Sequence, residues 1–414
     1  MIKIAVLGHG VVGSGVVEII EKNKQHIEKN VGKKIIIKRI LDLRDFDVPY
    51  ANLFTKDYDD ILNDDEISIV VEVMGGVHPA YDFAKAALEH QKSVVTSNKE
   101  LVATKGAQLL QLAKENHVNF YFEASVGGGI PIIRPMNNCL AANRIKEVAG
   151  ILNGTTNFIL TKMIHEQMPF DEALKMAQHL GYAERDPSAD IDGHDSCRKI
   201  CILASLAYGV QVNPEQVYTE GISKVTLEDV EYANACDCVI KLIGYVKWLE
   251  EDNTLSCMVC PALISKQSQL AGIEDVFNGI LVRGDMTDDV VFYGKGAGKL
   301  PTASAVVADV IDIAKRDKTN HSLTWVDDKI NHVMDYRKLN ADYYVRVCTD
   351  AISDIKEQIS QVFGEVTYLT RNHQPENEYA FLIKNICEQD FTDKAQKLSA
   401  QHIEITSKIR VLNY

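Results

Sequence analysis

The chain has 414 residues, 46% of them hydrophobic and 25% charged, and a formal net charge of −14. That length gives a prior of about three domains with a sizeable core, and the composition is that of an ordinary globular protein, which excludes long disorder. The acidic balance excludes nucleic acid and acidic membrane surfaces as partners.

From residue 1 to about 125, short apolar strands alternate with amphipathic helices. Strands are predicted at Lys3 to Leu7, Ile35 to Leu41, Ile67 to Val73, Val94 to Thr96 and Asn119 to Phe122, and helices at Gly15 to Lys24, Pro79 to His90 and Glu100 to Asn116. Repeated βαβ units predict a Rossmann-type doubly wound parallel sheet. Residues 126–300 mix helices with fewer strands and hold most polar clusters, as an α+β substrate domain would. The helix expected at Ala303 to Ala314 returns to complete the first domain at about 300–320, and a polar linker follows from Lys315 to Asn340. Residues 341–414 read βαββαβ, a small ferredoxin-like module.

GHGVVG, Gly8 to Gly13, follows the first strand and opens the first helix, the context a dinucleotide fingerprint requires. Gly8 permits the tight turn, Gly10 lets backbone approach a pyrophosphate, and Gly13 allows close helix packing. Gly8, Gly10, Val11, Val12 and Gly13 are therefore candidates to hold NADP or NAD on a positive helix end. The second strand ends in ILDLRD. Asp42 there would favour the ribose diol of NAD and Arg44 the 2′-phosphate of NADP; strand alternation puts both on one face, so the choice stays open.

VVTSNKEL places Ser97, Asn98 and Lys99 at another strand end. Lys99 is either a surface residue after a helix cap or a contact for cofactor or substrate carboxylate, and Ser97 shares the position. In EASVGGGIPII, Glu123 to Ile133, successive glycines expose carbonyls that with Glu123 suit a hard monovalent cation; read alone, the segment is as well a hinge.

Gly181 to Lys199, GYAERDPSADIDGHDSCRK, is dense in acids. Its end has apolar residues at helical spacing, with Asp195 and Lys199 four apart on one face. Ile202 and Leu206 make that face apolar too, so Lys199 is expected at the mouth of a cleft. A partly desolvated Lys is a usable proton donor near neutral pH. Reducing an aldehyde needs one, with Asp195 orienting the Lys and Glu184 free to accept an amino group.

With these residues assembled, the run Ala177 to Lys199, AQHLGYAERDPSADIDGHDSCRK, resembles the signature of the homoserine dehydrogenases. The resemblance extends through GHGVVGSG, VVTSNKELVA, EASVGGGIP, ILNGTTNFIL and GKGAGKLPTASAVVAD, covering nearly all of residues 1–315. It implies reversible NAD(P)H-dependent reduction of aspartate semialdehyde to homoserine. It further implies Lys199 as proton donor assisted by Asp195, Glu184 and Asp190 as substrate contacts, and Lys99 at cofactor and substrate. Glu123 with the carbonyls of Val126, Gly128 and Ile130 resembles the family's sodium site, and Gly298 approaches the nicotinamide. A homodimer or homotetramer is expected.

The terminal module resembles an ACT domain in YYVRVCTD but continues as AISDIKEQ without a Pro-Gly turn, so a weak response to threonine is expected. Two rival readings are another Rossmann amino-acid dehydrogenase, against which the complete Lys199 signature argues, and a catalytically silent amino-acid sensor, against which intact Lys99, Asp195 and Lys199 argue. Nine cysteines without a regular framework read as reduced thiols. The pairs Cys236/Cys238 and Cys257/Cys260 lack the spacing and the His of a zinc site. No run approaches the roughly 18 apolar residues of a membrane helix and MIKIAVLGHG lacks the marks of a leader, so a cytoplasmic protein is expected.

Overall fold

The computed structural model describes residues 1–316, 323–349 and 354–414. The N-terminal part carries β1 (Ile2–Leu7), α1 (Val11–Lys22), α2 (Lys24–Val31), β2 (Ile35–Leu41), β3 (Phe54–Thr55), α3 (Asp59–Leu62), β4 (Ile67–Glu72), α4 (Ala80–Glu89), β5 (Ser93–Thr96), α5 (Lys99–Glu115) and β6 (Phe120–Tyr121). The middle adds β7 (Ile145–Ile151), α6 (Gly154–Glu166), α7 (Phe170–His179), α8 (Ser188–Ile191), α9 (His194–Tyr208), β8 (Tyr218–Thr219), α10 (Leu227–Ala235), β9 (Cys238–Leu249), β10 (Thr254–Ser265), β11 (Phe277–Gly284), β12 (Asp288–Lys295) and α11 (Lys299–Lys315). The last part is β13 (Asn340–Thr349), α12 (Ile355–Phe363), β14 (Thr367–Leu369), β15 (Glu378–Cys387), α13 (Glu388–Ser399) and β16 (Ile403–Leu412).

Two compact units result, one of Met1–Ile145, Cys201–Pro214 and Arg283–Ile330, the other of Lys146–Ile200, Glu215–Val282 and Asn331–Tyr414. The sheet of the first unit runs β3-β2-β1-β4-β5-β6, parallel at every pairing. Strands such as Ile4 to Leu7 and Ile69 to Val71 are buried without alternation, as a sheet covered on both faces requires. The order reverses between β1 and β4, which makes that crevice the expected ligand site. Helix α11 returns to this unit as anticipated: a Cβ on Gly15 of α1 would lie 2.9 Å from the Ala303 Cβ. Residues 317–322 of the expected linker fall outside the described chain, but beyond them Trp325 is buried and donates to Gln211 Oε1 at 2.9 Å.

In the second unit the sheet runs β11-β7-β9-β10-β16-β13-β15-β14, with β8 also on β10. The terminal segment has the expected βαββαβ order, and its strands lie as β16-β13-β15-β14, all antiparallel. Tyr343, Val345, Val347, Ile359, Phe381 and Leu398 form its core. One feature was not anticipated from sequence: Arg410 to Leu412 of β16 pair in parallel with Ala262 to Ile264 of β10. The edge of the module on that side is therefore taken within the chain.

Arg346 of β13 ties the same segment to α10. Its Nε donates to Asp229 Oδ1 at 3.1 Å, its Nη1 to Glu378 Oε2 at 3.2 Å and its Nη2 to Thr226 Oγ1 at 3.0 Å. The Tyr344 hydroxyl donates to Asp229 and the Tyr232 hydroxyl to Glu378, at 3.0 and 2.9 Å.

Lys241 of β9 is also buried, with Nζ donating to the Ile273 carbonyl at 2.6 Å and Asn157 Oδ1 at 3.3 Å. Burial pushes its ammonium down from 10.5 to about 8. Between those values the unfolded chain binds a proton that the folded chain does not, so this group adds stability as pH rises through the window. Lys241→Met lacks that increment. Compared by urea unfolding at pH 7.5 and 10, the wild type should gain on the variant by about 2 to 3 kcal/mol; a difference independent of pH would show that the amine is not desolvated.

Candidate active site

In the first unit, β1 delivers the chain into Gly8 at φ +95°, where a Cβ would lie 3.0 Å from Met74 Cγ. Only glycine meets both demands. A Cβ on Gly13 would stand 2.0 Å from the Gly8 carbonyl, so α1 rests directly on the turn, whereas one on Gly10 would meet nothing within 4 Å. Helix α1 starts at Val11 with no side-chain cap and no acid in its first turn. The amides of Val11, Val12 and Gly13 thus form a positive helix end beside open space, a fit for a pyrophosphate.

Asp42 and Arg44, which sequence left as alternatives, are partners. Arg44 Nε and Nη2 bind the two Asp42 oxygens at 3.0 and 2.9 Å, and the His9 amide in the glycine turn donates to Asp42 Oδ2 at 2.8 Å. The Arg44 guanidinium holds the Asp42 carboxyl well below the usual carboxylate range. The Arg44 side chain is 64% exposed and lies 5.1 Å over the Phe46 ring. The His9 ring is packed edge-on by Phe46 at 4.8 Å and Phe54 at 5.1 Å, and burial lowers its pKa.

The loop after β5 is organised by a residue that sequence reading passed over. Glu72 ends β4 fully buried; Thr96 Oγ1 donates to its Oε2 at 2.5 Å and the Met74 amide to its Oε1 at 2.8 Å. Thr96 Oγ1 also accepts from the Asn98 amide at 2.9 Å, and Asn98 caps α5 by accepting from the Leu101 amide at 3.0 Å. Ser97 donates its amide to the Glu72 carbonyl at 3.4 Å, and Lys99 is the first residue of α5. The available signal was an acid closing a strand that is apolar but for Ser68, ISIVVE.

Glu123 is buried, and its carboxylate faces donors. The amides of Ile132 and Ile133 reach Oε1 at 2.6 and 2.8 Å, while the Arg134 amide and Nε reach Oε2 at 2.9 and 3.1 Å. With that carboxylate occupied, the oxygens left for a cation are backbone carbonyls. Among the described residues no backbone amide donates to those of Val126, Gly128 or Ile130. Gly128, at φ +57°, would place a Cβ 2.3 Å from the Gly296 carbonyl. Gly298 precedes α11 at φ +125°. Asp309 accepts from the Glu123 amide at 2.8 Å, and burial pushes its carboxyl up to about 8.

In the second unit, α9 carries Asp195 and Lys199 one turn apart. Lys199 Nζ donates to Asp195 Oδ2 and to the Leu152 carbonyl, both at 2.7 Å, and the two side chains are only 8% and 7% exposed. This is a buried pair, not a surface one. Asn153, absent from the sequence candidates, links it to Asp190: its Nδ2 donates to Asp195 Oδ2 at 2.9 Å and Asp190 Oδ1 at 2.7 Å. Its own Oδ1 caps α6 by accepting from the Thr156 amide at 2.9 Å. Burial raises the Asp190 pKa, and the Asp195 charge adds to the effect. An Asn between a strand and a helix in ILNGTTNF reads as a cap, which hid its second role. Glu184 lies on an exposed loop. Such a cluster can hold an ammonium at a fixed place and deliver a proton to a nearby oxygen.

Comparison with known proteins agrees with these features. A family model described as homoserine dehydrogenase matches residues 131–311, and one described as homoserine dehydrogenase, NAD binding domain, matches residues 8–123. The chain is 36% identical to a homoserine dehydrogenase of Bacillus subtilis across 99% of its own length and 98% of the relative. Among solved structures, a homoserine dehydrogenase from Thiobacillus denitrificans superposes with a TM-score of 0.89 at 34% identity, covering 100% of this chain and 98% of that one. A hyperthermophilic archaeal homoserine dehydrogenase mutant in complex with NADPH matches 77% of this chain and 99% of its own, with a TM-score of 0.65 and 29% identity.

Proposed function

Because this chain belongs to the homoserine dehydrogenase family, an NAD(P)-dependent oxidoreductase acting on CH–OH, we propose how its residues divide that reaction. The observation that carries the proposal is the buried group of Lys199, Asp195, Asn153 and Asp190. In the reducing direction the bound dinucleotide supplies a hydride to the aldehyde carbon of aspartate semialdehyde. Lys199 gives a proton to the aldehyde oxygen as it becomes an alkoxide, completing homoserine; Asp195 and the Leu152 carbonyl fix the direction of its ammonium. An alkoxide is more basic than an amine, so the proton moves downhill. Asn153 holds Asp195 and Asp190 at fixed positions, Asp190 contacts the substrate, and Glu184 takes the substrate amino group. Lys99 meets the cofactor and the substrate carboxylate.

On the cofactor, Gly8, Gly10, Val11, Val12 and Gly13 hold the pyrophosphate, Ser97 lines the strand end, and Gly298 lies against the nicotinamide. A sodium ion, when present, sits on the carbonyls of Glu123, Val126, Gly128 and Ile130. Residues 1–125 with about 300–320 serve the dinucleotide and 126–300 the substrate, with 341–414 an ACT-like module. The enzyme works in the cytoplasm as a homodimer or homotetramer. Among the described residues no helix is long and apolar enough to cross a membrane. The turn on which a threonine response would depend, after Thr349, includes residues 350–353, which lie outside the described chain.

Steady-state oxidation of homoserine with NAD and with NADP tests the proposal. Arg44 leaves Asp42 to grip the 2′-phosphate, so Arg44→Ala should raise KM for NADP about tenfold or more and leave KM for NAD nearly unchanged, since the charge-assisted contact exists only for the phosphorylated cofactor. Equal changes would reduce Arg44 to a partner of Asp42 alone.

A further inference from the structure

Helix α10 ends at a turn that carries two thiols. Cys236 caps the helix C-terminus and Cys238 opens β9, with Asp237 between them in the left-handed region at φ +55°. That bend folds the second side chain back over the first residue: Cys238 Sγ lies 3.4 Å from the Cys236 carbonyl oxygen, and Cys236 Sγ 3.3 Å from that of Ala233. The two thiols are themselves in hydrogen-bond contact. Both cysteines are half-exposed and Asn234, Ala235 and Asp237 around them are exposed, so solutes reach the turn. Cys197, Cys201, Cys257 and Cys260, by contrast, are buried. Among the described residues no group of three His, Cys, Asp or Glu side chains is placed to hold a metal ion, which leaves each thiol the other as its chemical partner.

The surroundings make the two unequal. A thiolate at Cys238 accepts the S–H of Cys236, which brings the Cys238 thiol down to about 7 against the opposing effects of burial and the Asp237 carboxylate. The Cys236 thiol, which would have to ionise beside that charge, is raised. Lys266, just past β10, adds an ammonium to the same turn. Its amide donates to the Asp237 carbonyl at 3.0 Å and its Nζ to Asn234 Oδ1 at 2.5 Å, with Asp237 Oδ1 3.8 Å away. An accessible thiolate beside a second thiol is the arrangement that reacts with a peroxide and then closes on itself.

We propose that Cys236 and Cys238 form an oxidisable dithiol, a modification site for hydroperoxides that is independent of the dehydrogenase reading. The Cys238 thiolate attacks the terminal oxygen of ROOH; the O–O bond breaks, the sulfur becomes a sulfenic acid, and RO⁻ leaves and takes a proton from solvent. The Cys236 sulfur then attacks the sulfenic sulfur. The S–O bond breaks, and hydroxide departs as water with the Cys236 proton. Two thiols and ROOH thus give a disulfide, ROH and water, with two electrons passing from sulfur to oxygen. Being exposed, the disulfide is open to reduction by a small thiol, so the modification is reversible.

The reduced full chain, freed of excess thiol, is treated with hydrogen peroxide at about pH 7 and mapped by peptide mass spectrometry. The wild type should lose two hydrogens within the peptide that holds both residues, and a thiol reductant should restore them. Cys236→Ser keeps a hydroxyl donor but no second sulfur, and should accumulate at Cys238 a sulfenic acid that dimedone traps. Cys238→Ser should react roughly tenfold more slowly at Cys236, because an ordinary thiol, with a pKa of about 8.5, is only slightly ionised there. Oxidation of the wild type that begins at any other cysteine, or that runs on to sulfinic acid at Cys238 without a disulfide, overturns the proposal, and so do equal rates in the two variants.

Discussion

Lys199→Ala should lower kcat by about 10² to 10⁴ while leaving the dinucleotide Kd within a small factor of the wild type. The Nζ is the group placed to protonate the oxygen, and it is held by Asp195 and Leu152 at 2.7 Å each. Its loss leaves hydride transfer without a partner proton. It also leaves Asp195 buried without that ammonium, beside the Asn153 amide that donates at 2.9 Å, so a stability loss in the range for a broken buried pair, about 3 to 5 kcal/mol, should accompany it. Folding of the variant is therefore verified by urea unfolding before kinetics. Stopped-flow measurement of the first turnover with saturating cofactor isolates this step from product release. Near-normal turnover in a folded variant would remove Lys199 from the chemistry, and a large loss of cofactor affinity would reassign it to binding.

Arg346→Met should cost about 3 to 5 kcal/mol of unfolding free energy, the range for breaking a buried ion pair by removing one partner. Asp229 and Glu378 are 0% and 4% exposed, and water does not reach them once the guanidinium is gone. Three donors are lost together: one to Asp229, one to Glu378 and one to Thr226. Asp229 keeps the Tyr344 hydroxyl and the Thr226 amide and hydroxyl but, among the described residues, no cation, whereas Glu378 keeps Tyr232 and the Arg371 guanidinium, so the greater penalty falls on Asp229. Adding Asp229→Asn to Arg346→Met should recover part of the loss. Urea unfolding of the two single variants and the double variant supplies the cycle; a loss near zero in Arg346→Met would mean that the surrounding hydroxyls alone satisfy the carboxylates.

What could be read in the chain beforehand follows from the range of the interactions. The strand, glycines and helix of the nucleotide turn are neighbours in sequence, and so are Asp195 and Lys199 on one helix. Periodicity and turn chemistry therefore located both. Boundaries moved where tertiary contacts intervene: the first helix was predicted from Gly15 to Lys24 and runs Val11–Lys22, because its first turn is laid on Gly8. Asn153 meets Asp190 and Asp195 from some forty positions away in sequence, and Glu72 meets Thr96 across adjacent strands. No local rule joins such residues. The Glu123 carboxylate, read beforehand as a cation ligand, is filled by three amides and Arg134, because the chain turns back over it at Ile132 to Arg134, which leaves its backbone carbonyl for that part. The pairing of β16 with β10 joins segments that the sequence had assigned to different domains. Parallel pairing of that kind leaves no hairpin signal.

That pairing also sets an order of events during synthesis. When β10 leaves the ribosome, β9 covers one side of it along its length, and β8 protects Met258 and Val259 on the other. Ala262 to Ile264 must wait for Arg410 to Leu412, which are made only after the whole intervening chain. Until then a nascent chain carries a short apolar row of unpaired amides and carbonyls, the kind of template that recruits another strand. A chain cut short before β16 keeps that edge unpaired at Ala262 to Ile264 and should therefore aggregate more readily than the full chain.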